Sequence, residues 1–202
     1  MHRSVAVVVA LATLAGAAVT VAAVEPSAAT TVVASPASPL RPTAPRALDD
    51  ATIVAIFDAA NTADIETGRL AAERGASREV REFGAMLARD HTQVRQMGRD
   101  LATKLGVTPK PPADDKAGRD HAAAMARLRA LSGPAFDHAF LQHEAAFHQA
   151  VIDAVTSTLL PAIQNAELKA LVQKVAPAFE GHMHAARQLE KNLKSTSSEQ
   201  GR

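Results

Sequence analysis

The chain has 202 residues and a formal net charge of +1, with 22 Lys and Arg against 21 Asp and Glu. Such a balance offers no basic face for nucleic acid, and the absence of cysteine excludes disulfides, thiolate metal sites and thiol nucleophiles. Hydrophobic residues make up 47% of the chain, many of them alanine, and there are six Phe but no Trp or Tyr. This composition favours closely packed helices over a β-sandwich.

The N-terminus has the pattern of a secretory signal. His2 and Arg3 form a short basic start, residues 4–24 carry no charge, and the small residues Ala22 and Ala23 stand near the end of that run. We interpret residues 1–24 as a cleaved signal peptide, which predicts a periplasmic or secreted protein. The uncharged run is also just long enough to span a bilayer. Anchoring to the inner membrane by an uncleaved segment is the alternative, and no other membrane contact is expected.

The predicted folded domain lies between two polar or irregular segments. Residues 25–48 contain five prolines among Ala, Ser and Thr, and proline ends helices because it lacks the amide donor. We interpret this stretch as an extended tether. The domain is predicted over residues 49–194, followed by a polar tail, residues 195–202, that is expected to be disordered.

Two long helices are predicted in the first half of the domain. An Asp-Asp pair at residues 49–50 can cap the first helix, which ends near Arg74. The break Gly75-Ala76-Ser77 then supplies a helix end and a new cap, and the second helix ends near Leu105. Because a three-residue break leaves no room for a crossing, the two helices are predicted to lie antiparallel.

Antiparallel pairing about this break sets Gly68 opposite Gly84. Two glycines at one level allow the helix backbones to approach closely. A mid-helix glycine lowers helix stability by about 1 kcal/mol relative to alanine wherever it lies, so this cost does not distinguish a contact from a surface position. The other interpretation is that both glycines are tolerated at the surface.

The second half of the domain repeats the long-helix pattern after a long connection. Residues 107–133 contain three prolines and then DDKAGRDHAAAMARLRAL, which predicts a short extra helix. The third long helix is expected from near Pro134 to near Leu159, with proline in its first turn. Asn165 can cap a fourth helix that ends near Leu193.

This order of elements predicts an all-α fold, a four-helix bundle. The connection between the second and third helices is long enough to cross the length of the bundle. It therefore permits the crossover topology of ferritin-like folds. A plain up-down bundle with a decorated loop is the alternative.

Every long helix carries an ionisable residue on its apolar face. At about 100° per residue, His91 falls on the stripe of Leu87 and Val94. Each such residue lies near the middle of its helix, so the group is expected to meet at one level of the bundle. The other members are Asp64 in the first helix, Glu144 and His148 in the third, and His182 in the fourth.

Ionisable residues in a bundle core are normally paired or bound to metal. Imidazole nitrogen and carboxylate oxygen suit one divalent transition metal, zinc, iron(II) or copper(II), better than magnesium or calcium. The candidate ligands are Asp64, His91, Glu144, His148 and His182. A closed hydrogen-bond network without metal is the alternative. No motif indicates an organic cofactor or a catalytic nucleophile.

Two further acidic residues lie close to these faces. Asp90, next to His91, is expected to orient an imidazole from outside the ligand set. Asp137 lies on the inward face near the start of the third helix, where it is expected to act as a first-turn charge. The remaining histidines fall off the apolar stripes and are predicted at the surface: His121, His138, His143 and His184.

Four segments resemble the DUF4142 family of exported bacterial proteins: ADIETGRLA, VREFGAMLARDHTQV, FLQHEAAFHQAVI and VAPAFEGHMHAARQL. The resemblance covers about residues 50–193 and implies a ferritin-like four-helix fold. The family motifs match Asp64, His91, His148 and His182, which helical projection selects independently. The activity of the family is not established, so the resemblance indicates fold more than function.

The chain departs from the ferritin-like di-iron enzymes, whose sites use Glu-x-x-His on two helices. Ala88, Ala145 and Phe179 stand three residues before the three candidate histidines. There is also no Tyr to form a radical. Ferroxidase or oxygenase chemistry is therefore not expected.

Three functions remain in competition. The first is an exported protein that binds one divalent transition metal in the central layer. The second is a metal-free structural or stress-related envelope protein whose polar core is hydrogen-bonded. The third, an enzyme with a mononuclear metal, would need an open coordination position and a route for substrate. The sequence has no phosphate-binding loop and no substrate motif to support it.

Overall fold

The computed structural model describes residues 48–200, and the side chains up to residue 195. The predicted signal peptide and all but the last residue of the predicted tether lie outside these residues. All regular structure between residues 48 and 200 is helical, with no strand. The all-α prediction is therefore confirmed.

The first two helices begin and end where the sequence signals stand. Helix α1 spans Asp50–Arg74 and helix α2 spans Arg78–Leu105. The side chains of Asp49 and Ser77 cap them by accepting backbone N–H groups of the first turn. Gly106 ends α2 in the left-handed conformation with φ of 65°, which glycine adopts without steric cost.

The α1–α2 pair packs through close backbone contact. A Cβ atom on Gly68 would lie 2.7 Å from the carbonyl oxygen of Gly84, and one on Gly84 would lie 2.6 Å from that of Gly68. Both residues are buried. The close-approach interpretation is thus correct, and the surface interpretation is wrong.

The rest of the chain contains one short helix and two long ones. Helix α3 spans Lys116–Arg129 and lies in the predicted long connection. Helix α4, Gly133–Ala154, continues through a π-helical turn at Val155–Leu159 into a short helix α5 at Leu160–Ala162. Helix α6 spans Ala166–Gln200.

Helix α6 begins where predicted but ends later. The side chain of Asn165 accepts the backbone N–H groups of Glu167 and Leu168, as expected of a cap. At the other end the helix runs to Gln200, past the predicted end near Leu193. The intervening residues include no glycine or proline to stop it.

Contacts at the helix ends define the topology. Asp137, in the first turn of α4, accepts the backbone N–H groups of Ala76 and Ser77, each at 2.8 Å. Helix α4 therefore starts at the same end as the α1–α2 turn. Because α2 finishes at the opposite end, residues 107–132 carry the chain along the length of the helices. Asp137 thus joins two parts of the fold, a larger role than that of a first-turn charge.

The opposite end is closed in the same manner. Asp50, at the start of α1, accepts the backbone N–H groups of Gln164 and Asn165 in the turn before α6. Helices α1 and α2 form one antiparallel pair and α4 and α6 form another. Across the two pairs α1 lies beside α4 and α2 beside α6.

The apolar core consists of two clusters, one toward each end of the helices. One contains Ile53, Phe57 and Val172, and the other contains Phe83, Phe136 and Phe140. The five candidate ligands, Asp64, His91, Glu144, His148 and His182, form a layer between these two clusters. On each long helix, every member of this layer stands between residues of one cluster and residues of the other. None of the helices within residues 48–200 is long and apolar enough to span a membrane.

Candidate metal centre

The structure brings all five candidate ligands together in the core. Asp64, His91, Glu144 and His148 are at most 1% exposed, and His182 is 8% exposed. They come from the four long helices: Asp64 from α1, His91 from α2, Glu144 and His148 from α4, and His182 from α6.

A buried asparagine orients the imidazole of His91. The Nδ1 atom of His91 lies 2.9 Å from the side-chain oxygen of Asn61. The amide nitrogen of Asn61 donates to the carbonyl oxygen of Phe57 at 2.8 Å, which turns the amide oxygen toward the histidine. An amide oxygen only accepts, so Nδ1 of His91 carries the proton and Nε2 presents its lone pair.

Hydrogen bonds orient the imidazoles of the other two histidines in the same way. The Nδ1 atom of His148 donates to the carbonyl oxygen of Glu144 at 3.0 Å, and Nε2 of His182 donates to a carboxylate oxygen of Asp90 at 3.3 Å. Asp90 thus plays the predicted outer role, on His182. Each ring uses its outward nitrogen as a hydrogen-bond donor. The lone pair of the inward nitrogen therefore remains available to a metal ion. Outer partners of this kind hold histidine ligands in most metal sites.

The inward atoms converge at distances that suit a metal ion. His91 Nε2 lies 3.2 Å from His182 Nδ1 and 3.5 Å from one oxygen of Asp64. His148 Nε2 lies 4.0 Å from the other oxygen of Asp64. One nitrogen from each of the three histidines falls within 4.8 Å of the others. In a tetrahedral zinc site, with bonds of about 2.0–2.1 Å, neighbouring ligand atoms are about 3.3–3.4 Å apart.

Several atoms of this layer are buried without a hydrogen-bond partner. Among the described residues, seven buried side-chain nitrogen and oxygen atoms lack one. Five of the seven are both carboxylate oxygens of Asp64, both of Glu144, and Nε2 of His148. Because buried polar groups are nearly always satisfied in native proteins, this concentration indicates that the layer accommodates something further.

Burial dominates the electrostatics of the layer. It lowers the pKa of His91 to about 3 and that of His148 to about 4, and it lowers the pKa of His182 as well. The imidazoles are therefore neutral, the state that binds metal. Burial also raises the pKa of Glu144 to about 7, and burial together with the adjacent Glu144 raises the pKa of Asp64 well above its usual range. A cation between them would favour the ionised form of both carboxyl groups.

Asn61 is a site residue that the sequence analysis does not identify. It is completely buried, three residues before Asp64 and four after Phe57. An asparagine on an apolar helix face was the available signal, because such a residue needs hydrogen-bond partners inside the core.

The prediction that the remaining histidines are surface residues is only partly right. His184 is exposed, but His121, His138 and His143 are half-buried. His121 reaches across from α3 to Glu66 on α1 at 2.8 Å. Burial, and then the proximity of His121, lowers the pKa of His143 to about 4. His121 and His143 lie where α3 covers the bundle, a contact that periodicity within one helix does not reveal.

Comparison with family models identifies the family of the chain. A family model described as a domain of unknown function, DUF4142, matches residues 35–189. The chain belongs to the DUF4142 family. All five candidate ligands lie within the matched DUF4142 segment, which begins inside the predicted tether, residues 25–48. No curated protein and no solved structure matches the chain.

Proposed function

We propose that this DUF4142 protein is an exported, ferritin-like four-helix bundle that binds one divalent transition metal in its central layer. The ligands are His91, His148 and His182, with Asp64 as the oxygen donor. The observation that carries the proposal is the shared orientation of the three imidazoles. Each donates a hydrogen bond outward and directs a lone pair toward the other two.

The chemistry of the donor set supports a transition metal. Three imidazole nitrogens and one carboxylate oxygen suit zinc, iron(II) or copper(II) rather than magnesium or calcium. A divalent cation also balances the charges of Asp64 and Glu144, which burial otherwise drives toward the neutral form. Without a cation, the facing lone pairs of His91 and His182 at 3.2 Å repel each other.

The topology and the N-terminus support the remaining parts of the proposal. The connection from α2 to α4 runs along the length of the helices, as the crossover of ferritin-like bundles does. The uncharged N-terminal run supports export through a secretory signal, with retention in the inner membrane as the alternative.

The direct test is metal analysis of the full-length chain, purified without chelator or affinity tag. After reconstitution with zinc, iron(II) or copper(II) and removal of free metal, we expect about one equivalent of metal by mass spectrometry. His91→Ala is expected to lose it, whereas His184→Ala, at an exposed position of the same protein, is expected to retain it. Less than a tenth of an equivalent of every metal in the wild type would refute the proposal.

A metal-free structural role is the second candidate, and one observation favours it. The 3.2 Å separation of His91 and His182 is also within hydrogen-bonding range. A shared proton there, with protonated Asp64 and Glu144 as donors, would make the layer self-sufficient. The network then predicts melting temperatures that EDTA leaves unchanged and a neutral or stabilising effect of His91→Leu. A metal site predicts that EDTA lowers the melting temperature, because a ligand that binds only the folded state stabilises it.

A further inference from the structure

One metal ion bound by the three histidines leaves the carboxylate of Glu144 unexplained. Both its oxygens are fully buried. The Thr67 hydroxyl, the Asp64 carboxyl group and, at 3.5 Å, Nδ1 of His148 lie near it, but neither oxygen has a hydrogen-bond partner of good geometry. Asp64, Glu144 and His148 form a second group whose donor atoms all lie within 4.8 Å of one another. The five buried atoms of the layer that lack a hydrogen-bond partner all belong to these three residues. We infer that the layer holds a second divalent cation, bound by Asp64, Glu144 and His148, an inference that rests on the first site proposed above.

The orientation of Asp64 supports a pair of ions. One of its oxygens faces His91 at 3.5 Å, and the other faces His148 at 4.0 Å. A carboxylate whose two oxygens face different ligand sets can bridge two cations. The first ion then keeps His91, His182 and one oxygen of Asp64.

His148 belongs to both donor groups and can serve only one ion at a time through Nε2. With a single ion bound, it completes the nitrogen-rich set. With both ions bound, it moves to the second, because its Nε2 faces the oxygen of Asp64 that the first ion does not use.

The second donor group selects a different class of metal. It contains two carboxylates and one imidazole, and the 4.0 Å separation of its His148 and Asp64 atoms exceeds the 3.2 Å separation of His91 and His182. A harder ion with longer bonds, Mn²⁺, suits this group better than zinc. The arrangement also differs from a paired Glu-x-x-His site, because the single bridging carboxylate comes from α1.

Sequential loading separates the two sites. The full-length chain first receives one equivalent of Zn²⁺, which is invisible to electron paramagnetic resonance, and is then titrated with Mn²⁺. Mn²⁺ in solution gives a six-line signal that weakens when the ion binds. We expect one equivalent of Mn²⁺ to bind the zinc-loaded wild type. Glu144→Gln replaces the carboxylate with a neutral amide of the same shape. We expect this variant to bind Mn²⁺ at least tenfold more weakly than the wild type and to retain zinc.

Glu73→Gln serves as the matched control, since Glu73 is an exposed glutamate of α1, and it should bind both metals as the wild type does. A zinc-loaded wild type that binds no Mn²⁺, or a Glu144→Gln variant that binds it equally well, overturns the second site. Glu144 would then act as a protonated carboxyl group beside Asp64, a role that glutamine can take over. Failure of the wild type to bind zinc, iron(II) and copper(II) refutes the first site instead, so the two failures are distinguishable.

A measurement on the wild type keeps the inference testable if Glu144→Gln does not fold. Two metal ions that share bridging ligands lie about 3.5–4 Å apart. The wild type loaded with one equivalent of Cu²⁺ and one of Mn²⁺ should then show an exchange-coupled spectrum rather than the separate signals of isolated Cu²⁺ and Mn²⁺. Separate signals of the two isolated ions, at one bound equivalent of each, overturn the inference.

Discussion

His91 Nε2 and His182 Nδ1 face each other at 3.2 Å, while the opposite nitrogen of each ring is held by an acceptor, Asn61 for His91 and Asp90 for His182. Two lone pairs at this distance repel each other unless a metal ion or a shared proton lies between them. The site can therefore be tested by substituting the ligands, by substituting the residues that hydrogen-bond to them, and by varying the pH.

Loss of a histidine ligand should cost more affinity than loss of a group behind it. Residues behind a metal ligand typically contribute about 10–100-fold to affinity. His182→Ala is therefore expected to weaken zinc binding by more than about 100-fold, measured by competition with a fluorescent chelator. His184→Ala, two residues along the same helix and exposed, should bind zinc as the wild type does. Equal affinities of the two variants would contradict the assignment.

Asn61 should tune the site without binding metal. Asn61→Leu removes the acceptor that holds the Nδ1 proton of His91. We expect zinc affinity to fall by about 10–100-fold while the stoichiometry stays at one. Thr62→Val is the control, because the hydroxyl of Thr62 bonds to the carbonyl of Asp58, away from the layer. Unchanged affinity in Asn61→Leu would show that the Asn61 contact does not position His91.

The close contact between Gly68 on α1 and Gly84 on α2 predicts the sign of the stability change in Gly84→Ala. Helix propensity alone would make Gly84→Ala stabilising by about 1 kcal/mol. The new Cβ would instead lie 2.6 Å from the carbonyl oxygen of Gly68, and such overpacking typically costs about 1–3 kcal/mol. We expect a lower free energy of unfolding in urea. Gly181→Ala in α6, where nothing apart from its chain neighbours and the nearby backbone of its own helix lies within 4 Å of the new Cβ, should show the opposite sign.

The metal-free protein should lose part of its stability in acid through His91. The pKa of His91 is lowered to about 3 in the folded state, so below its ordinary value of about 6.5 the unfolded chain binds the proton and the folded chain does not. Stability contributed in this way is present at pH 8 and falls as the pH drops from about 6.5 toward 3. The slope is at most about 1.4 kcal/mol per pH unit for one such group.

The carboxyl groups oppose this trend. The pKa of Glu144 is raised to about 7 and that of Asp64 is raised as well, so their protonation favours the folded state as the pH falls below 7. The contribution of His91 is isolated by comparing wild type with His91→Leu. After EDTA treatment, the difference in their free energies of unfolding should shift in favour of His91→Leu between pH 7 and pH 4.5. A difference that is independent of pH would show that His91 is not held neutral.

The helices and the choice of buried ionisable residues were determined by local sequence. The caps Asp49, Ser77 and Asn165 act where they stand in the chain, because a cap bonds to backbone groups two or three residues away. The positions of Asp64 and His91 on apolar stripes follow from the helical period in the same way. The helix ends were less predictable: α6 continues to Gln200, because polar residues without glycine or proline neither require a helix nor stop one.

The tertiary structure decided which atoms meet. Asn61 reaches His91 on another helix, Asp90 serves His182 rather than its neighbour His91, and Asp137 joins α4 to the α1–α2 turn. These contacts depend on the axial alignment and rotation of packed helices. Periodicity within one helix reports the face on which a residue lies and leaves its partner open. The orientation of three imidazoles toward one point is therefore a property of the packed fold.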